Sequence, residues 1–169
     1  MTRSKVTLRS LRELADAGTP IVMVTAYDFV SGRVAERAGV DMVLVGDSGA
    51  QVVLGLPGTT SVSLDEMLML AKAVRRAVRT PFVICDLSFG TTELSDEQAV
   101  ATSVRFVQEA GADAVKLEGA NPARLSRLRA IVEAGIPVVG HVGLTPQTAT
   151  ALGGLRAQGR TVDDAIRVA

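Results

Sequence analysis

The sequence predicts an α/β protein built on a parallel sheet, and two observations carry that expectation. First, five segments repeat one pattern, a small or polar turn containing Gly or Pro followed by an apolar run: 17–24, 38–45, 80–85, 110–117 and 134–140. The runs are short, rich in Val and Ile, and nearly unbroken, which is what strands buried on both faces of a parallel sheet require. Second, the stretches between them have helical spacing.

Leu64 to Val78 places Leu64, Met67, Leu68, Ala71, Val74 and Val78 at steps of three and four, with Ser63 as N-cap. Ser95 with Gln98 gives a capping-box start to a helix running to about Glu109, and Gly111 is its C-terminal stop. Asn121-Pro122 opens another that ends at Gly135, and Thr161 to Ala169 reads as the opening turns of one more. Strand, helix, strand with right-handed crossovers permits either an open doubly wound sheet or a closed barrel. An eight-fold barrel needs about 250 residues. The chain has 169, so a barrel would be an incomplete one of about five strands, a single truncated domain over 1–169 whose last strand leaves an unpaired edge.

Composition narrows the function classes. Hydrophobic residues make up 47% of the chain, and 18 basic and 18 acidic side chains are interspersed along it. No basic patch recommends a nucleic acid or an anionic membrane, and with one Tyr and no Trp there is little to stack bases upon. Small-molecule chemistry is the better expectation. No apolar run approaches the roughly 20 residues of a membrane span, and no signal-peptide core follows Met1 to Lys5. The lone cysteine, Cys85, excludes an internal disulfide and agrees with a reducing, cytoplasmic location.

The ionisable residues are informative by their placement. Val43-Leu-Val-Gly runs into Asp47-Ser48, Phe82-Val-Ile-Cys into Asp86, Ala114-Val115 into Lys116-Leu117-Glu118, and Val138-Val-Gly into His141. Carboxyl ends of parallel strands share one mouth, so these side chains are expected to converge. Lys116 and Glu118 share a strand face while Leu117 points away, and Cys85 turns to the face opposite Asp86. Asp47, Asp86 and Glu118 are hard oxygen donors suited to Mg2+. A 2-oxo acid would complete the shell through its carboxylate and keto oxygens, the ion stabilising an enolate with Lys116 as a second cation nearby. His141 could hydrogen-bond the substrate carboxylate or orient a proton carrier. Taken singly, each has a plainer reading: Asp47 or Asp86 as a turn former, Lys116 as partner of Glu118, His141 as a structural residue, Cys85 as core. The group of four strand ends is what points to a site.

Seven blocks occur in order between Thr25 and Arg160: Thr25-Ala-Tyr-Asp28, Leu44-Val-Gly-Asp-Ser48, Val53-x-Gly55 with Thr59 and Thr60, Asp86-Leu-x-Phe-Gly90, Val115-Lys-Leu-Glu-Gly119, Gly140-His-Val-Gly-Leu-Thr-Pro-Gln147 and Gly153-Gly-x-x-x-Gln-Gly-Arg160. Together they resemble the ketopantoate hydroxymethyltransferase family. The resemblance implies a (β/α)8 TIM barrel of the phosphoenolpyruvate mutase/isocitrate lyase type, incomplete here. It implies transfer of a hydroxymethyl group from 5,10-methylenetetrahydrofolate to 3-methyl-2-oxobutanoate, giving ketopantoate for pantothenate and coenzyme A synthesis, in a cytoplasmic homo-oligomer. It implies Asp47, Asp86 and Glu118 as the magnesium acids, Ser48, Asp86 and Lys116 as 2-oxo acid contacts, and His141 as an active-site histidine. The loop Gly49 to Val62 would lie over the mouth as a lid. Ser88 stands where the family usually has Pro, and Ala120 where it usually has Gly. The family's proton-accepting glutamate matches no residue here and is expected beyond Ala169. Two other readings stay open: another metal-enolate carbon-carbon bond enzyme of the superfamily, and a non-catalytic remnant that binds a 2-oxo acid and metal.

Overall fold

Each apolar run forms a strand, and the strands pair in chain order because every connection is long enough to cross over and return parallel. In a computed structural model describing residues 3–169, the sheet is β1 (Met23–Thr25), β2 (Met42–Val45), β3 (Phe82–Asp86), β4 (Ala114–Glu118) and β5 (Val138–His141), ordered β1-β2-β3-β4-β5 and parallel throughout. Met1 and Thr2, the start of the N-terminal stretch read above, lie outside the described residues.

The helices are α1 (Leu8–Asp16), α2 (Phe29–Ala38), α3 (Gly49–Val52), α4 (Leu64–Ala77), α5 (Asp96–Ala110), α6 (Pro122–Glu133) and α7 (Val162–Val168), with 3₁₀ turns at Thr59–Ser61 and Pro146–Thr148. Ser63 caps α4 with a reciprocal bond from Glu66, as its sequence predicts. Ser95 caps α5, but the Gln98 side chain does not return to it; that amide reaches the Gly90 carbonyl and accepts from Leu94 N–H, so the expected capping box is half formed. Gly111 ends α5 at φ 64°, a left-handed conformation that favours glycine.

Strand pleating divides the interior in two. Val43, Val45, Val83, Cys85, Val115 and Leu117 face outward into the helical layer, against Met67, Leu68, Val74 and Phe106 among others. Phe82, Ile84 and Ala114 face inward with Met42, Leu44 and Val139, and Val6 and Leu11 close over them. The N-terminal segment is tied to the beginnings of three strands. Arg3 donates to the Val40 carbonyl and pairs with Asp41, Val6 N–H donates to Thr80 O, and Lys5 donates to Pro81 O and pairs with Asp113. It therefore covers the end of the sheet opposite the mouth.

Burial on both faces holds for β3 and nearly for β4, whereas β1 is largely exposed and β5 half-buried. β1 also begins two residues after Ile21, where its apolar run starts. Both are edge strands, so each lacks a neighbour on one side.

Helices α2 and α4 touch closely at Gly32, where an added Cβ would lie 2.9 Å from Ala77 Cβ and 3.3 Å from the Val74 carbonyl. Gly32→Val should therefore lower stability by about 1–3 kcal/mol through overpacking. An unchanged urea midpoint would show that these two helices do not meet there.

Candidate active site

Register brings the polar residues together. Asp86, the last residue of β3, lies directly opposite Lys116 on β4, and Glu118 lies opposite His141 on β5. These residues continue the inward-facing rows of Phe82 and Ile84, of Ala114, and of Val139. Lys116 Nζ donates to Asp86 Oδ1 at 2.8 Å, so the lysine pairs across the sheet with Asp86 and its own strand neighbour Glu118 turns elsewhere. Glu118 Oε1 is 3.1 Å from His141 Nδ1, and Oε2 accepts the Gln147 backbone N–H at 3.0 Å. Asp47, two residues beyond β2, donates its backbone N–H to Asp86 Oδ2 at 3.0 Å. Its own Oδ2 accepts from Gln147 Nε2 at 2.8 Å.

Asp47, Asp86, Lys116, Glu118 and His141, drawn from four strand ends, thus form one hydrogen-bonded network closed by Gln147. Ser48 sits beside it, its hydroxyl 2.8 Å from Tyr27 OH. The Tyr27 ring packs where Gly49 has no side chain, since an added Cβ there would fall 2.9 Å from Tyr27 Cδ1. Neither Tyr27 nor Gln147 stands out in the sequence as a site residue. The signal for each was only its membership of an ordered block, Thr25 to Asp28 and Gly140 to Gln147.

Three carboxylates here face one ammonium, and all three acids are less than 5% exposed. Burial pushes the Asp47 carboxyl up to about 6, reinforced by the charges of Asp86 and Glu118 and opposed by the Gln147 hydrogen bond and Lys116. On the opposite pleat, burial raises the Cys85 thiol, which belongs to the core as its position predicts.

The donor set is all oxygen with negative charge in excess, which suits a hard divalent cation. Among the described residues, however, no group of three His, Cys, Asp or Glu side chains is arranged to hold a metal ion by itself. All three acids are engaged: Asp86 accepts from Lys116 on one oxygen and from the Asp47 backbone N–H on the other, Glu118 meets His141 and the Gln147 backbone N–H, and Asp47 Oδ2 accepts from Gln147 Nε2. Asp47, Asp86 and Glu118 are the acids that would hold such an ion, with water and substrate oxygens completing its shell.

Gly49, Ala50, Thr59 and Val62 are buried anchors, while Gln51 to Val53 and Thr60 and Ser61 are exposed. Ser88 is fully buried, and its hydroxyl has no hydrogen-bond partner among the described residues. A cavity of about 600 Å3 opens between the segments after β4 and β5 and the chain from Ala151 to Val168. Its wall includes Gly119, Val142, Thr145, Arg156 and Arg160, and the acids of the network lie beside it rather than in it.

Comparison with known proteins bears on this arrangement. The model of a family described as ketopantoate hydroxymethyltransferase matches residues 5–169. Over 164 residues the chain is 51% identical to 3-methyl-2-oxobutanoate hydroxymethyltransferase 1, mitochondrial, of Arabidopsis thaliana, covering 97% of this chain and 47% of that protein. Enzymes of the same name from Deinococcus radiodurans and Thermosynechococcus vestitus are 52% and 48% identical, covering 92% and 99% of this chain and 55% and 64% of theirs. The chain thus spans about half the length of the curated relatives it matches. Among solved structures, a phosphoenolpyruvate phosphomutase from Streptomyces platensis subsp. rosaceus aligns with TM-score 0.65 at 23% identity over 79% of this chain and 53% of that one. A 2,3-dimethylmalate lyase, titled a PEP mutase/isocitrate lyase superfamily member, aligns with TM-score 0.62 at 22% identity over 78% and 51%. The chain therefore shares the parallel β/α fold of those structures, with five strands among the described residues.

The raised Asp47 carboxyl sets a pH dependence. Its folded value of about 6 lies above the ordinary 3.8, so protonation favours the folded state, and that stabilisation fades as pH rises from about 4 through 6. In metal-free buffer Asp47→Asn should match wild type near pH 4 and exceed it at pH 7.5 by on the order of 1–3 kcal/mol. Urea midpoints at the two pH values check this, and a wild-type advantage at pH 7.5 would refute it. Ser88→Ala, which deletes an unpartnered buried hydroxyl, should raise stability by about 1 kcal/mol; a fall in Tm would mean that the hydroxyl has a partner after all.

Proposed function

The chain belongs to the ketopantoate hydroxymethyltransferase family, and from that premise we propose that it serves the transfer of a hydroxymethyl group from 5,10-methylenetetrahydrofolate to 3-methyl-2-oxobutanoate. The product would be 2-dehydropantoate, in pantothenate and coenzyme A synthesis. The observation that carries this reading is Asp86, which accepts the Asp47 backbone N–H on one oxygen and the Lys116 ammonium on the other at the mouth of a parallel sheet.

Asp47, Asp86 and Glu118 are the acids we assign to Mg2+, and Glu118 also meets His141 Nδ1 and accepts the Gln147 backbone N–H. A bound divalent ion there supplies positive charge that polarises the keto group of a 2-oxo acid. Lys116, held by Asp86 and largely buried, places a second cation where negative charge develops on the substrate oxygen. His141 gives Nδ1 to Glu118, so Nε2 is the nitrogen we assign to the substrate carboxylate. The Ser48 hydroxyl, steered by Tyr27, offers a further hydrogen bond to the same group. No residue of the chain is assigned the removal of the C3 proton.

For the folate co-substrate, the cavity beside Glu118 and His141 is of a size that takes a small ligand. Arg156 and Arg160 in its wall suit glutamate carboxylates. We place the reaction in the cytoplasm, a choice supported by the sparing use of cysteine, Cys85 alone, while the Arabidopsis relative's name puts that protein in mitochondria. We read 1–169 as one domain. A homo-oligomeric state is supported by the exposed apolar face of α2 at Phe29, Val30 and Val34. A different metal-enolate chemistry is disfavoured by the single activity named for the three relatives above.

Calorimetric titration should show 3-methyl-2-oxobutanoate binding in Mg2+ but not in EDTA, and Asp86→Asn should weaken it by about 100-fold, the loss of a charge-assisted contact worth roughly 3 kcal/mol. Equal binding with and without Mg2+ would sink the reading.

A further inference from the structure

We propose that Gln147 is a positioning residue that holds the Asp47 carboxylate in the orientation from which it meets a divalent cation. This rests on the assignment of Asp47, Asp86 and Glu118 to Mg2+ made above. Gln147 lies in the 3₁₀ turn Pro146–Thr148 beyond β5 and is 8% exposed. From there it reaches three other strand ends. Its backbone N–H donates to Glu118 Oε2 at 3.0 Å, beyond β4's inward row. Its side-chain Nε2 donates to Leu87 O, just past β3, and to Asp47 Oδ2, just past β2, each at 2.8 Å.

An amide of this length suits the task for chemical reasons. Both hydrogens on Nε2 are used, and two acceptors at fixed places define the plane of the group. The Leu87 carbonyl belongs to main chain that is itself anchored, since Leu87 N–H donates to Lys116 O. One bond therefore ties the amide to the sheet, and the other passes that rigidity to the Asp47 carboxylate. A glutamate in the same place would repel Asp47, an asparagine would reach one acceptor but not both, and a methionine would fill the space without donating. An apolar side chain there would take the donor from two buried acceptors, the Leu87 carbonyl and the Asp47 carboxylate, so a stability loss is expected on either account and Mg2+ affinity is the readout that separates positioning from it. The turn that carries Gln147 has separate support in the hydrogen bond between the Thr145 and Thr148 hydroxyls. Groups behind metal ligands act by fixing ligand orientation, and their loss typically weakens metal binding about 10- to 100-fold.

Titration with MgCl2 alone tests this, followed by calorimetry on wild type, Gln147→Met, Gln147→Asn and the control Thr148→Val, with Tm recorded for each. Thr148→Val loosens the same turn without touching Asp47. Gln147→Met should weaken Mg2+ by about 10- to 100-fold, with Gln147→Asn showing the same direction of loss should the methionine variant fail to fold. Thr148→Val should stay within about 2-fold of wild type even where its Tm falls as far. Wild-type affinity in the folded Gln147 variants, or an equal loss in Thr148→Val, would overturn the inference while leaving the functional reading intact. Mg2+ binding by wild type without binding of 3-methyl-2-oxobutanoate would defeat the functional reading and leave the Gln147 comparison to decide the inference. Absence of Mg2+ binding by wild type would overturn the inference, and the functional reading would stand or fall by the titration with 3-methyl-2-oxobutanoate in Mg2+ and in EDTA.

Discussion

Parallel register between β3, β4 and β5 is the constraint on which the molecule's chemistry depends. Because Asp86 faces Lys116 and Glu118 faces His141 across adjacent strands, each charge acquires its partner from the sheet itself. Pleating has a period of two, so a slip of one residue would exchange the faces. Cys85 would enter the mouth and Asp86 would be forced among the apolar side chains of the helices. The register is in turn held by the large outward residues, Val43, Val45, Val83, Val115 and Leu117, each fitted against the helical layer. A core that looks merely structural thus determines which carboxylate meets which cation.

That arrangement is held against an electrostatic penalty. Three acids are buried near one lysine, whose ammonium bonds Asp86, and burial raises the Asp47 carboxyl. Helix caps, the α2–α4 contact and the apolar layer stabilise the rest of the chain without making demands on the mouth. Strain and function are concentrated at one end of the strands, and ordinary packing occupies the other, as parallel α/β architecture commonly arranges them.

Much of this was legible from residue order. Strands β2, β3 and β4 are central, so their apolar runs are unbroken and their bounds nearly coincide with the runs. Helices α4, α5 and α6 announce themselves by Ser63, Ser95 and Asn121. Helix α2 is harder to see, because its larger apolar residues, Phe29, Val30 and Val34, lie toward solvent and its buried contacts are Gly32 and Ala35. Helix α1 contributes only Leu11 to the buried interior, which leaves no periodic signal. At the mouth, convergence of the ionisable residues follows from strand direction, whereas pairing does not. Whether Lys116 chooses Asp86 or Glu118 depends on cross-strand register, which no spacing within β4 encodes. Gln147 is an uncharged residue that meets Asp47 across 100 positions, and Tyr27 meets Ser48 through a hydroxyl, so neither contact leaves a mark in local sequence.

The N-terminal strap has a kinetic meaning as well as a static one. Lys5 finds Asp113 across 108 positions, with β1, β2 and β3 between them, and Arg3 finds Asp41 across 38, with β1 between them. Contacts of such separation form late and slow the last stage of folding. Until the strap seats, Phe82 and Ile84 remain open to any apolar surface that arrives first. The interval between sheet formation and strap closure is therefore when this protein is most exposed to aggregation, at the end of the sheet furthest from its chemistry.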